Sequence, residues 1–258
     1  MIIALDPLWE QYRRVLKHNG AMVLTASQPF TSVLVASNLK EYRYNWVWEK
    51  SKATGYLNSK RMPMKAHEDV CVFYRKLPTY NPQMVAGTPY DRGKAYRPTG
   101  VYGAQGQKRN TRRRKDLLEL KEVELQTLLI KNSLSVDGTK EEQVERYIAL
   151  LNPIEVHVKN TTGLRYPRTV QYFKTAEAEG KVCHPTQKPV RLFEYMIKTY
   201  TKEGEIVLDS CAGVGTAALA ALRTNRKYIC IENDREYYNI MQERIAAAKV
   251  AEEERIAG

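Results

Sequence analysis

Short apolar runs alternate with segments of helical periodicity near the N-terminal end of the chain. Residues 21–26 form an apolar run that predicts a buried strand, and the spacing over 31–39 predicts a helix. Residues 44–50 and 70–74 are rich in Trp, Tyr and Val and predict further strands. This alternation predicts an α/β fold with a doubly wound, mostly parallel sheet.

The same pattern returns in the C-terminal third of the chain. Residues 190–200 have helical periodicity, and residues 205–209 form an apolar run that ends in an acid. A glycine loop and an alanine-rich segment to Leu222 follow, and residues 228–232 form another apolar run. This order predicts helix, strand, loop, helix and strand, with a last helix from Glu236 to the end.

The middle of the chain interrupts this pattern. Residues 77–106 are rich in Pro, Gly, Tyr and Arg without a clear period, which indicates a loop region. Residues 112–152 have leucines at helical spacing on both sides of an Asp-Gly turn, and they predict a helix pair whose second member spans 140–151. Residues 153–183 are again irregular.

Composition narrows the class of protein. With 258 residues, 43% of them hydrophobic, the chain can bury the core of one α/β domain with an insertion. No apolar run reaches membrane-spanning length and no signal-peptide pattern opens the chain, so we expect no membrane partner. The four cysteines lack the paired spacing of metal ligands, so we expect reduced thiols in a cytoplasmic protein and no metal.

The formal net charge of +12 favours a polyanionic partner, with nucleic acid first. The alternative is a basic protein whose charges are simply solvated. Clustering favours the partner, because six of the eight residues from 108 to 115 are basic. The candidates for phosphate contacts are Lys108, Arg109, Arg112, Arg113, Arg114 and Lys115.

The glycine loop that follows residues 205–209 is typical of a nucleotide-like cofactor site. Asp209 ends the predicted strand, and an acid there suits a cationic group better than a phosphate. Gly213 and Gly215 allow a tight turn and close approach to a ligand, and the next helix N-terminus suits a carboxylate. Glu232 ends the following strand at about the spacing at which an acid meets ribose hydroxyls. The alternative is a plain strand–helix turn, and a dinucleotide is not favoured because the first glycine of its fingerprint is missing.

A second motif, His-Pro-Thr-Gln-Lys-Pro at 184–189, precedes the Asp209 strand. Together with residues 209–216, it resembles the amino-methyltransferases of DNA, which methylate adenine N6 or cytosine N4 from S-adenosylmethionine. The order of the parts is similar to the β class, in which the cofactor half follows the catalytic half. Residues 20–27 and 46–50 also resemble family segments.

The resemblance covers residues 1–106 and 153–245 and implies a Rossmann-like methyltransferase domain split by an insertion. It implies a substrate-side half at 1–106, a basic helical insertion in the target-recognition position at 107–152, and a cofactor-binding half at 153–258.

The resemblance also implies roles for the cofactor site. Asp209 would face the methionine ammonium, Glu232 would bind the ribose hydroxyls, and the backbone of 210–216 would wrap the methionine part. Residues 186–188 would close over the cofactor. The implied cofactor-binding residues are Thr186, Gln187, Lys188, Asp209, Ser210, Cys211, Ala212, Gly213, Gly215, Thr216, Glu232 and Asn233.

The catalytic tetrapeptide of the family, which is Asp, Asn or Ser followed by Pro-Pro and an aromatic residue, is missing from the sequence. In the family its polar residue accepts hydrogen bonds from the target amino group, and its ring stacks on the flipped base. Asp6, Pro7 and Trp9 are candidates for a substitute, and the catalytic residues are otherwise unknown. The favoured alternative is that Asp6 caps a helix that begins at Pro7 and contains Trp9.

Without the strand that carries this tetrapeptide, the sheet would have a gap beside the Asp209 strand, with unpaired strand edges. Either residues 2–5 fill that position, or a partner does, or the chain is an N-terminally truncated form. We expect the chain to bind cofactor and DNA but to have weak or no activity alone.

Residues 116–151 resemble the SAP helix-turn-helix DNA-binding module, a helix pair joined by a Gly-x-Lys turn. Lys140 in that turn is a further candidate for DNA contact, and phosphate contacts of this kind weaken with salt. The alternative is a solvated helical hairpin with a charged linker.

The leading hypothesis is a DNA amino-methyltransferase, adenine N6 in preference to cytosine N4, that uses S-adenosylmethionine. The lack of a Pro-Cys pair argues against ring-carbon methylation. The second hypothesis is a non-catalytic DNA-binding or regulatory subunit of a heteromeric methyltransferase, and an RNA or small-molecule methyltransferase is less favoured. We expect a prokaryotic or phage-encoded protein that acts on DNA, with a second copy or another methyltransferase chain as partner.

Overall fold

The computed structural model describes four ranges of the chain, namely residues 4–97, 117–131, 135–151 and 154–257. In chain order the elements are α1 (Leu5–Val15), β1 (Met22–Ala26), α2 (Phe30–Ala36), β2 (Tyr42–Thr54), β3 (Lys65–Phe73), β4 (Tyr90–Arg97), α3 (Glu122–Lys131), α4 (Lys140–Leu151), β5 (Ile154–Asn160), β6 (Val170–Phe173), α5 (Val190–Tyr200), β7 (Ile206–Asp209), α6 (Thr216–Arg223), β8 (Lys227–Cys230) and α7 (Arg235–Ala257).

These elements form two compact units. The first combines Met1–Val85 with Tyr166–Gly258, and the second is Ala86–Arg165. The second unit extends beyond the predicted insertion at 107–152 because β4 and β5, which flank that segment, pair with each other as antiparallel strands. Residues 108–115, which hold six of the basic candidates, lie outside the described residues.

The strands of the first unit form a four-stranded sheet, in the order β1-β3-β2-β6, and a separate parallel pair, β7-β8. In the larger sheet β3 runs antiparallel to β1 and to β2, whereas β6 is parallel to β2. The predicted mostly parallel arrangement is therefore present in β2–β6 and β7–β8, and the β2–β3 hairpin interrupts it.

The two sheets share no ladder of backbone hydrogen bonds within the described ranges, so one edge of β1 and one edge of β7 are unpaired. The β7–β8 pair also has an apolar face that is open to solvent. Side chains alternate along each strand, and Lys227 shares this face with apolar residues that are 40 to 58% exposed, namely Ile206, Leu208, Ile229 and, directly after β8, Ile231.

Helix α1 begins two residues earlier than the sequence predicts. Ala4 is its N-cap and Asp6 lies in the first turn without capping it, so the predicted cap at Asp6 is wrong. Pro7 is tolerated there because the first N–H groups of a helix have no partner within the helix. Leu5 is helical, so it does not extend the sheet, and residues 2 and 3 lie outside the described residues.

Trp9 belongs to the core between α1 and the four-stranded sheet. It is 1% exposed, and its ring centroid lies 4.8 Å from that of Phe73. Its indole Nε1 donates a hydrogen bond of 2.9 Å to Ser37 Oγ. A ring held in this way cannot stack on a base, which supports the alternative interpretation of residues 6–9 as helix and core.

Helix α5, which the sequence predicts at its observed bounds, packs against both sheets. Leu192 and Met196 lie in a cluster with Trp46 on the four-stranded sheet. Val190 and Ile197 pack instead in the cluster formed by α6, α7 and the β7–β8 pair. Each fully buried side chain of this size contributes about 1.5–3 kcal/mol. The helix thus holds the two sheets together although they share no ladder.

The helices of the second unit have their own small core of Leu117, Leu125, Leu129 and Val144. The observed bounds of α4 confirm the helix predicted at 140–151. Its start carries a capping box, because the Thr139 N–H donates to Glu142 Oε2 and the Glu142 N–H donates to Thr139 Oγ1.

The predicted absence of regular structure at 77–106 and 153–183 is wrong where β4, β5 and β6 form. β4 is mostly polar and β6 has only four residues, whereas Ile154, Val156 and Val158 alternate with polar residues in β5, a strand pattern that the prediction overlooks. Among the helices that the structure describes, none is both long and apolar enough to cross a membrane.

Candidate active site

Asp209 stands at the end of β7, where the chain turns into the glycine loop. Its backbone carbonyl accepts a hydrogen bond of 2.9 Å from the Ile231 N–H, and the Ala212 N–H donates to the Ile231 carbonyl. The carboxylate Oδ1 accepts a bond of 3.0 Å from the Cys211 N–H. Backbone bonds thereby hold the residue after β8 against Asp209, and the loop holds the carboxylate through the Cys211 N–H.

The carboxylate of Asp209 is short of compensating positive charge. Burial raises its pKa above the ordinary value, the Cys211 N–H opposes that shift, and the charge of Glu232 raises the pKa further. Within the described residues, neither Asp209 nor Glu232 forms an ion pair with a basic side chain. A cationic ligand group placed here would relieve both effects.

Glu232 brings a second acid to the same loop. Its Oε2 accepts a hydrogen bond of 2.6 Å from the Gly213 N–H, and its Oε1 accepts one of 2.9 Å from the Asp234 N–H. A carboxylate has about four lone-pair sites, so it can accept further bonds from ligand hydroxyls. Asn233 follows it on the exposed side of the turn.

The two glycines of the loop are required for different reasons. Gly213 has a φ of +51°, and a Cβ there would meet only His184, at 3.9 Å. Gly215 has a φ of +81° and precedes α6, and a Cβ there would lie 2.6 Å from Met241 Cγ. Gly213 therefore serves the left-handed turn, and Gly215 serves both the turn and the close packing of α7.

The motif at 184–189 forms a turn that packs on this loop. The Thr216 hydroxyl donates to the Lys188 carbonyl at 3.3 Å. His184 Nδ1 accepts from the Thr186 N–H at 3.1 Å, and Gln187 Oε1 accepts from the Cys183 N–H at 3.0 Å. The side chains of His184 and Gln187 thus serve to shape the turn.

The structure therefore brings the predicted cofactor residues together in three neighbouring segments. They are the turn before α5 with Thr186, Gln187 and Lys188, the loop from β7 into α6 with Asp209, Ser210, Cys211, Ala212, Gly213, Gly215 and Thr216, and the residues after β8, Glu232 and Asn233.

Helix α1 contributes one residue to this site that the sequence does not predict. The Tyr12 hydroxyl lies 2.8 Å from Ser210 Oγ in the glycine loop. Burial raises the pKa of Tyr12, so its hydroxyl remains a neutral donor or acceptor at physiological pH. No local pattern connects residues so far apart in the chain.

An ion triad joins the turn before α5 to the four-stranded sheet. Glu68 Oε2 lies 2.8 Å from Lys188 Nζ, and Glu68 Oε1 lies 2.5 Å from Lys50 Nζ. Burial raises the pKa of Glu68, but the hydrogen bonds and charges of Lys188 and Lys50 outweigh it and hold the pKa below the ordinary value. Lys50 lies in the segment 46–50 that resembles the family, but nothing in the sequence identified Lys50 or Glu68 as members of an ion triad.

A cavity of about 270 Å³ lies beside this triad, at the carboxyl end of β1. The Asp69 carboxylate in its wall accepts a hydrogen bond of 2.8 Å from the Thr31 hydroxyl. The remaining wall residues are polar or charged, and the full set is Ser27, Gln28, Lys65, His67, Glu68 and Asp69.

The other predicted site residues lie elsewhere. Asp6, Pro7 and Trp9 belong to α1 and are not part of the glycine loop. Lys140 is the first residue of α4 in the second unit and is half-buried. The remaining six basic candidates fall in the range that the structure does not describe.

The donor set fits a ligand that combines a cationic group with hydroxyls. Two carboxylates, Asp209 and Glu232, meet at one loop, and the start of α6 presents N–H groups to a ligand carboxylate. A parallel strand pair with an acid after each strand and a glycine loop between them defines a Rossmann-like site of the methyltransferase type.

Comparison with known proteins assigns the family. The chain belongs to the DNA methylase family of N6 and N4 methyltransferases. The sequence pattern of this family matches residues 2–243 of the chain. This match confirms the resemblance to DNA amino-methyltransferases.

Curated relatives resemble a short part of the chain. The type II methyltransferase M2.DpnII of Streptococcus pneumoniae is 44% identical over 64 residues, which are 25% of this chain and 24% of that protein. The type II methyltransferase M.HindIII of Haemophilus influenzae is 43% identical over 72 residues, which are 28% of this chain and 23% of that protein. The chain thus matches about a quarter of the length of these relatives.

Solved structures share the fold across nearly the whole chain. The M1.HpyAVI–SAM complex has a TM-score of 0.54 at 18% identity and covers 93% of this chain and 84% of its own. The PvuII DNA methyltransferase (cytosine-N4-specific) has a TM-score of 0.51 at 14% identity. The match covers 95% of this chain and 74% of that chain. These neighbours confirm the predicted Rossmann-like α/β class.

Proposed function

We propose that the protein binds S-adenosylmethionine and transfers its methyl group to the exocyclic amino group of a DNA base. Adenine N6 is proposed in preference to cytosine N4, as the family resemblance suggests. The convergence of Asp209 and Glu232 on one glycine loop, in a chain of the DNA methylase family, carries this proposal.

Each acid has a separate task in the proposed site. Asp209 binds the methionine ammonium, because no basic side chain among the described residues forms an ion pair with its buried carboxylate. Glu232 binds the ribose hydroxyls while it holds the Gly213 N–H. When bound, the cofactor supplies an electrophilic methyl group, and the turn that contains Lys188 closes the site from the side of α5.

The proposed transfer goes directly to the base nitrogen. Ring-carbon methylation needs a cysteine nucleophile after a proline, and Cys211 follows Ser210 in the glycine loop instead. The phosphate contacts are assigned, as a proposal, to the SAP-like insertion through Lys108, Arg109, Arg112, Arg113, Arg114, Lys115 and Lys140.

Two measurements on the purified chain test the proposal. Calorimetric titration with S-adenosylmethionine should give saturable binding that Asp209→Ala abolishes. Incubation of DNA with labelled cofactor, followed by mass spectrometry of the nucleosides, should give N6-methyladenine, at a low level from the chain alone because the catalytic tetrapeptide is missing. N4-methylcytosine would redirect the base assignment, and failure to bind the cofactor would contradict the function.

A second candidate function is that of a DNA-binding or regulatory subunit in a heteromeric methyltransferase. The edge of β7 that no described strand pairs with supports it, because the strand expected to carry the catalytic tetrapeptide would lie beside the Asp209 strand. On this hypothesis the chain alone binds cofactor and DNA but methylates weakly, and a different methyltransferase chain supplies the activity. Robust methylation by the homogeneous chain would contradict it.

A further inference from the structure

The β2–β3 hairpin projects beyond the edge of the sheet at which the cofactor loop lies. Ala26, the last residue of β1, pairs with Asp69, and Asp69 pairs with Val47. On its other side, β6 pairs with β2 as far as Lys50, and β2 continues beyond the sheet to Thr54, which at the usual rise per residue extends it by roughly 13 Å. The Glu68–Lys188 ion pair ties the base of this extension to the turn before α5.

The hairpin tip, residues 54–64, has an ordered backbone. Gly55 has a φ of +93°, and a short 3-10 turn follows at Tyr56–Asn58. The Asn58 carbonyl accepts hydrogen bonds from the N–H groups of Arg61 and Met62, at 2.8 and 3.0 Å. The tip therefore presents its side chains from a fixed turn.

Large apolar side chains at the tip are exposed without covering a core. Leu57 is 97% exposed, Tyr56 is 76% exposed and Met62 is 59% exposed. Scattered single apolar residues are common on surfaces, but a group at the end of a projecting hairpin marks an interaction site.

The hairpin tip and the strand ends next to it are positively charged. From residue 50 to 65 the chain has five basic residues and no acidic one. Lys50 is used in the triad with Glu68, and Lys52 lies near Glu177. Within the described part of the chain, neither Lys60 nor Arg61 takes part in an ion pair.

We propose that this hairpin tip is a second DNA-binding element, in which Tyr56 and Leu57 form a wedge against bases or sugars and Lys60 and Arg61 contact phosphates. An apolar wedge flanked by cations matches a duplex, since its backbone is anionic and its base steps can accept an inserted side chain. The inference deepens the proposed function and rests on it. It assigns DNA contact to the substrate-side half of the chain, apart from the basic insertion.

Binding of random-sequence 40-base-pair DNA to the full chain, by fluorescence anisotropy over a range of salt, tests the inference. Tyr56→Ala/Leu57→Ala should weaken binding about tenfold, as expected when one stacked side chain is removed. Lys60→Glu/Arg61→Glu should weaken binding at low salt and reduce the slope of log K against log salt by about 0.9 for each phosphate that is no longer neutralised.

Matched controls lie at the other end of β2 and on α7. Leu39→Ala removes a side chain that is 68% exposed, and Lys40→Glu/Lys249→Glu reverses the same number of charges away from the hairpin. Both should bind DNA like the parent. Parent-like binding and salt slope in the tip variants would overturn the inference while the proposed function stands.

Separate measurements distinguish failure of the function from failure of the inference. A parent chain that binds S-adenosylmethionine but no DNA at low salt would overturn both DNA proposals. Binding to phosphatidylglycerol vesicles that depends on the tip, without any effect of the tip variants on DNA, would overturn the inference in favour of a membrane surface.

Discussion

The ammonium of Lys188 lies 2.8 Å from the carboxylate of Glu68, which joins the turn beside the glycine loop to the four-stranded sheet. Lys50 approaches the other oxygen of the same carboxylate at 2.5 Å, and its side chain is 8% exposed. Glu68 is thus a single acid between two cations in a partly buried site. Its removal leaves both cations without a partner and frees the turn.

Glu68→Gln should weaken cofactor binding, because it frees the turn that contains Lys188. It should also lower the free energy of unfolding by about 1–3 kcal/mol, since breaking a partly buried ion pair costs less than breaking a fully buried one. The contribution of the Glu68 carboxylate to stability is fully present above the pKa that Glu68 has in the unfolded chain. It is lost as pH falls through the lowered pKa of Glu68 in the folded state. The difference between parent and variant should therefore shrink in acid. Denaturant titrations between about pH 3 and 7 measure it.

Glu194→Gln is the matched control, because Glu194 pairs at 3.4 Å with Arg223, whose side chain is 55% exposed. It should change stability by less than about 1 kcal/mol. Equal effects of the two variants would contradict a special role for Glu68.

Asp209→Asn should stabilise the ligand-free protein and abolish cofactor binding. The folded state holds the Asp209 proton more tightly than the unfolded chain, so parent stability falls as pH rises from the ordinary Asp pKa through the raised value. The variant lacks this loss and should unfold at a higher temperature near pH 7. Thermal unfolding and calorimetric titration of the same samples check both parts.

Cofactor affinity of the parent should follow the same group. A cationic ligand favours ionised Asp209, so affinity should rise with pH through the raised pKa and then level off. Affinity that is independent of pH across this window would place the cationic group elsewhere.

Gly215→Ala should destabilise the cofactor half by about 1–3 kcal/mol through backbone strain at a positive φ, with a further cost from the contact with Met241. Gly204→Ala separates the two costs, since Gly204 has a φ of +77° but has no atom within 4 Å of the position that a Cβ would occupy. Chemical unfolding measures the loss of stability in each variant, and the difference between the two losses gives the cost of the contact with Met241. Equal losses would show that α7 yields at Met241.

Tyr12→Phe and Ser210→Ala should each lower stability by about 0.5–1.5 kcal/mol, the usual net value of one hydrogen bond. Because the two hydroxyls bond to each other, the double variant should lose less than the sum of the single losses. Additive losses in this cycle would mean that the contact between α1 and the loop is not energetically coupled.

The parts of this protein that the sequence predicts well are those with local signals. The helix at 190–200 has a clear period, and the Asp209 loop has an acid, two glycines and a helix at fixed spacing. Long-range partners have no such signal, and for this reason Tyr12 and Glu68 were found only in the structure. Strand β4 is mostly polar and has no clear alternation, whereas β5 alternates at Ile154, Val156 and Val158 and could have been predicted from the sequence.

Trp9 shows the limit of a motif. The order of acid, proline and aromatic residue at 6–9 matches a catalytic pattern in part, yet burial of the ring against Phe73 gives it a packing role. A residue type and its spacing could not reveal which side of the helix faces the core.

The apolar face of the β7–β8 pair should lower the solubility of the isolated chain. Ile206 and Leu208 lie on β7, which has an edge that no described strand pairs with, and Ile229 and Ile231 lie on the same face of the pair. Such an edge can recruit strands from other molecules. We expect the isolated chain to precipitate or self-associate at high concentration in spite of its net charge of +12. Co-expression with a chain that covers this face should increase the yield of monodisperse protein.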